Sequence, residues 1–144
     1  MKSSALVLTF LSVILFALPS ALRAQSAVAF CYSTNIYGFT YGSVSADTAK
    51  ADALSRCKLY GGVKPLIVTS SSKGGYGAIA MGRIGVSNKV FVGVSLSQPT
   101  REKAEADAMK YVKDQGATEI KLFNSFLDDG KNSVEFDLKE PAQK

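Results

Sequence analysis

The chain switches between two hydrophobic periods, and it does so twice. Over residues 27–32 small side chains (Ala27, Ala29, Cys31) alternate with large ones (Val28, Phe30, Tyr32), the period-2 pattern of a strand. Ser33, Thr34 and Asn35 carry turn chemistry. The alternation resumes over 37–44, with Tyr37, Phe39 and Tyr41 on one side and Gly38, Thr40 and Gly42 on the other, which predicts a hairpin. Then the period lengthens: Ala49, Ala53 and Cys57 recur at i, i+4 and i+8 with Leu54 beside them, the buried stripe of a helix. Ser45 or Asp47 can cap its first N–H groups, and Gly61 and Gly62 end it. A third strand follows over 64–70, where Pro65 marks an edge or a strand beginning.

The same order then returns. The run Ala49-Lys50-Ala51-Asp52-Ala53-Leu54 is echoed 55 positions later by Ala104-Glu105-Ala106-Asp107-Ala108-Met109. Residues 77–81 match 27–30 at an offset of 51, and 89–96 form the returning strand, with Gly93 in the place of Gly42. Four extra residues enter around 96–100, Pro99 suits the first turn of a helix over 101–115, and Gly116 closes it. In the last repeated strand, 118–126, Ile120 and Leu122, extended to Asn124, oppose Lys121, Phe123 and Ser125. Residues 70–75 read as a Ser/Gly turn between the copies, 128–132 as a solvated turn, and 133–138 as a tail strand belonging to neither. The expected fold is therefore α+β. One domain over 25–144 holds two tandem β-β-α-β units, 27–70 and 76–126, which share one largely antiparallel sheet with both helices on one face. Units of about 50 residues would be marginal alone, so they should share a core.

Small residues on the helices and on one side of each hairpin predict close helix–sheet packing. If Ala27, Ala29 and Cys31 face the first helix, Cys31 and Cys57 fall in the same layer. The other side then carries Val28, Phe30, Tyr32, Tyr37, Phe39 and Tyr41, joined by Ile79, Met81, Val90, Val92 and Val94. No third layer is evident to cover it. Either this aromatic face meets a partner, a ligand or a second copy as a homodimer, or the tail strand and the sheet twist bury it.

Composition adds an address. Residues 1–24 have the three parts of a secretory signal: Lys2, an apolar run over 5–18, then Pro19 ahead of Ala21 and Ala24. Fourteen apolar residues fall short of the about 20 that a membrane helix needs. Cleavage is expected after Ala24, with the bond after Ser26 as the alternative, leaving a secreted or periplasmic protein with no membrane span. Of 17 basic side chains the signal takes Lys2 and Arg23, so the mature chain has a net charge of +3 against its 12 acidic ones. Without a basic cluster, nucleic acid is a poor partner. In an oxidising compartment the two cysteines, Cys31 and Cys57, favour a disulfide closing a loop of 26 residues, with two buried thiols as the alternative.

The chemistry offered is thin. No histidine is present, which removes Ser-His and Cys-His pairs and the commonest zinc ligand. Ser70 and Lys73 have Ser-x-x-Lys spacing but lie in the Ser/Gly stretch, and Ser55 and Lys58 are no stronger. The oxygens of residues 128–132 lack the spacing of a calcium loop, and Asp52 and Asp107 sit on exposed helical sides. No cofactor is implied.

At Gly77-Ala78-Ile79-Ala80, the glycine-bearing second strands and the Ala-x-Ala-x-Ala helix ending at Cys57, the chain resembles the secreted bacterial "domain of unknown function 4189" repeat family, over roughly residues 27–126. The resemblance implies export and a β-β-α-β unit, and no known reaction. Members place further cysteines after the helix and before the alanine strand, where this chain has none at 61–64 and 75–77.

The expected function is a non-enzymatic binding module that recognises a protein or an envelope polymer through Tyr32, Tyr37, Phe39 and Tyr41, whose rings offer apolar area and hydroxyl donors. A second hypothesis is a small inhibitor or immunity-type protein acting through the loop at 70–76 or at 96–100. A third is a hydrolase using Ser70 or a cysteine.

Overall fold

The computed structural model describes residues 24–86, 89–131 and 133–136. Residues 1–23 of the proposed signal lie outside them, as do positions 137 and 138 of the predicted tail strand. The fold is α+β, built from two antiparallel sheets and two helices. β1 (Gln25–Cys31) and β2 (Ile36–Ser43) form a hairpin, α1 (Ala46–Leu59) follows, and β3 (Leu66–Ser71) returns beside β1. β4 (Gly75–Arg83), β5 (Val90–Gln98), α2 (Arg101–Asp114) and β6 (Glu119–Asp128) repeat that order, and β7 (Val134–Phe136) adds to β6. The strand orders are β2-β1-β3 and β5-β4-β6-β7.

Both helices start where the sequence places a short oxygen-bearing side chain. Thr48 N–H donates to Ser45 Oγ at 3.1 Å, and Lys103 N–H to Thr100 Oγ1 at 3.2 Å. Thr100 is thus the cap of α2, and Pro99 lies just outside the helix instead of in its first turn.

The single shared sheet is not what forms. β3 and β4 belong to different sheets, which pack face to face, and each carries one helix on its outer side. The reason lies in β1 and β4, which are apolar on both faces. Ala27, Ala29 and Cys31 pack on Ala49, Ala53 and Cys57 of α1, while Ala78 and Ala80 pack on Ala104, Ala108 and Val112 of α2. Val28 and Phe30 on the other side of β1 meet Ile79 and Met81 on the other side of β4. One continuous sheet would leave those four in water, whereas the sandwich gives each sheet a cover on both faces. The missing third layer is the other half of the chain.

Close approach of helix to sheet depends on glycine at two places. A methyl group on Gly38 would lie 2.3 Å from Cys57 N and 2.4 Å from Ala53 O, and one on Gly93 would lie 2.2 Å from Ala108 O. Gly38 opposes Ala29 and Gly93 opposes Ala80, so Gly93 takes the place of Gly38 and not of Gly42. The four extra residues therefore enter between β4 and β5, not around 96–100. Bulges fall at Val28/Ala29 in the β1–β3 pair and at Ile79/Ala80 in the β4–β6 pair, again 51 apart.

Candidate ligand groove between the sheets

Tyr37, Phe39 and Tyr41 follow one another along β2 and face the second sheet. Neighbouring ring centroids are 6.2 and 5.9 Å apart. Phe39 and Tyr41 both stack on Phe126 of β6, at 5.4 and 5.3 Å, and Tyr37 meets Phe123 edge-on at 6.0 Å. The expected open aromatic face is therefore mostly the inside of the sandwich. Sheet burial removes far more apolar area from water than a tail strand could. Tyr32 stands apart, 57% exposed and edge-on to Phe30 at 4.8 Å.

Where β2 and β6 form the rim of the sandwich, the two sheets leave a groove. One hollow of ≈ 440 Å³ has Tyr37, Phe39, Arg56, Tyr60 and Phe123 in its walls. A second, of ≈ 450 Å³, shares Asn35, Met81 and Phe123 with it and continues past Arg83 and Lys121. Tyr60 reaches this rim because it is the C-cap residue of α1, and Arg56 stands one turn before it. Asn35 occupies the β1–β2 turn with φ +56°, a left-handed conformation that asparagine tolerates better than most residues. The β6 bulge, with Leu122 opposite Ala80 and Asn124 opposite Ile79, lets Phe123 and Asn124 both face the groove.

A polar chain crosses its floor. Tyr37 Oη donates to Asn124 Oδ1, and Asn124 Nδ2 donates to Glu135 Oε1 on β7. Burial pushes the Tyr37 hydroxyl up to about 12, helped by the negative charge of Glu135 and by Tyr60. Tyr37 is therefore a protonated donor fixed across the sheets. Lys121 Nζ lies 5.9 Å from the centre of the Phe123 ring.

The other candidates are placed differently. Cys31 and Cys57 are brought together, both buried in the α1 core, but as free thiols without a bridge. Each already has a partner: Cys57 Sγ donates to Ile36 O at 3.3 Å, and Cys31 Sγ lies 3.2 Å from Ser33 Oγ. Hydrogen bonds from Ser33, then Thr34 and the Lys64 backbone, lower Cys31 to about 6, while burial, then the neighbouring Cys31, raises Cys57. Ser70 lies on β3, so Lys73 is not one helical turn from it. The two loops named for inhibition do meet. Ser97 Oγ donates to Lys73 O at 2.7 Å, and Ser97 holds φ +58°. The acidic turn is only partly solvated: Asp128 is 1% exposed and accepts from Ser26 Oγ at 2.5 Å and Ser133 Oγ at 3.2 Å.

Sequence reasoning missed Arg56, Tyr60, Phe123, Asn124 and Glu135 as groove residues. Phe123 alone gave a signal, as a large ring on the side of β6 opposite Ile120 and Leu122. Among the described residues no helix is long and apolar enough to cross a membrane. The chain matches no curated protein and no solved structure. Residues 26–126, most of the sandwich and the greater part of the groove, match the family described as a domain of unknown function, DUF4189. The chain belongs to the DUF4189 family.

Proposed function

We propose that this protein is an exported binding module, not an enzyme, and that its ligand enters the groove between β2 and β6. The observation that carries the reading is the convergence of Tyr60, 65% exposed, and Phe123, 37% exposed, on a hollow whose floor is the Tyr37–Asn124 bond. Aromatic faces with polar groups at their edges hold a ligand and orient it. Of the aromatic row expected to bind, Tyr37 and Phe39 remain part of this surface, whereas Tyr41 serves the sandwich. The test is equilibrium binding of the protein to fractionated envelope protein and polymer. Tyr60→Ala with Phe123→Ala should abolish retention while the protein stays folded, and unchanged retention would contradict the reading.

A second reading is an inhibitor that presents the paired loops near Lys73 and Ser97. It is favoured by the left-handed backbone of Ser97, a strained conformation held by the Lys73 carbonyl. Under it, substitutions at Lys73 and Gln98 abolish activity and Tyr60→Ala does not.

A further inference from the structure

The groove is aromatic, and its walls also carry more basic than acidic side chains. They hold three basic side chains, Arg56, Arg83 and Lys121, against two acidic ones, Glu119 and Glu135, the latter accepting from the neutral amide of Asn124. The balance is positive, and Arg56 and Lys121 contribute to it. Neither has a carboxylate partner among the described residues, whose helix α2 by contrast is laced with Arg101–Glu105, Lys103–Asp107 and Lys110–Asp114 pairs. Arg56 is in the wall of the first hollow and Lys121 in that of the second, with Phe123 shared between them.

We infer that the groove takes a run of acidic polysaccharide, consecutive sugar rings carrying carboxylates. This rests on the binding reading above and gives it a ligand class. A sugar ring has a face of C–H groups that are weakly positive and a rim of hydroxyls. The face suits the electron-rich rings of Tyr60 and Phe123. The rim needs donors and acceptors together, which Asn35 and Glu135 supply. A carboxylate matches the planar fork of the Arg56 guanidinium, which can bind both its oxygens. The two hollows are each within the about 300–1,000 Å³ of small-molecule sites. Their common wall makes them successive, so the match is to a chain of rings.

The test is calorimetric titration of the purified protein with tetragalacturonate, with maltotetraose as a neutral chain of equal length, and with tetraglutamate as an acidic peptide. Tetragalacturonate should bind, more weakly as salt rises, and Arg56→Gln should weaken it by about tenfold. Maltotetraose should lose a similar factor, and Tyr60→Ala should weaken both. Equal affinity for the neutral chain, an unchanged affinity in Arg56→Gln, or equal binding of tetraglutamate would overturn the inference. If no oligosaccharide binds while Tyr60→Ala with Phe123→Ala still abolishes retention of envelope material, the ligand class fails and the binding reading stands. If those substitutions change neither, both fail.

Discussion

The hydroxyl of Tyr37 on the first sheet donates to the side-chain carbonyl of Asn124 on the second. Eighty-seven positions separate the two residues, and the bond closes the sandwich at the rim where the groove opens.

Alkaline titration should expose that bond. With Tyr37 at about 12 and an unfolded tyrosine near 10, the unfolded chain releases its proton first. Stability from this group is therefore complete below about pH 10 and is lost as pH rises towards 12. Absorbance at 295 nm should show a late step from Tyr37, and Tyr37→Phe should remove it.

In the reduced protein the cysteines should titrate apart. Cys31 is lowered to about 6, so its contribution is present above the ordinary thiol value of 9.0 and is lost as pH falls through 6. Thiolate absorbance at 240 nm should show a step near pH 6 that survives Cys57→Ser and disappears in Cys31→Ser.

Glycine at the helix contacts should be irreplaceable. Gly38→Ala or Gly93→Ala drives a methyl group into helix backbone and should cost about 1–3 kcal/mol or more in urea unfolding. Gly85, with φ +46° and nothing within 4 Å of an added methyl, should lose only about 1–2 kcal/mol as alanine, from its backbone conformation.

Buried Asp128 depends on hydroxyls from both ends of the described chain. Ser26→Ala removes the donor at 2.5 Å and should cost about 1–3 kcal/mol, whereas Ser133→Ala, at 3.2 Å, should cost less. Equal losses would show that the shorter bond is not the stronger one.

Each element of the fold was legible because its period is local. The alanine stripe of α1, the alternation of β1 and the Ser45 cap all lie within a few residues of what they determine. The partition into two sheets was not, because it turns on which long-range cover Val28 and Phe30 find, and a sequence does not state that. Pairing Gly93 with Gly42 failed for a related reason. Both glycines fit the small-residue pattern, and only the register with Ala29 and Ala80 shows that Gly38 holds the equivalent place. The groove was the least legible part. Its walls come from the end of α1, the bulge of β6 and the short β7, and Asn124 turns inward because of that bulge.

That the aromatic row of β2 is committed to the second sheet can be tested by nuclear Overhauser measurement between the rings of Phe39 and Phe126. With centroids 5.4 Å apart, strong ring-to-ring cross-peaks are expected, alongside others between Tyr41 and Phe126. Rings of Phe39 and Tyr41 that show contacts to solvent and none to Phe126 would mean that the halves do not pack face to face, and the groove would vanish with the sandwich.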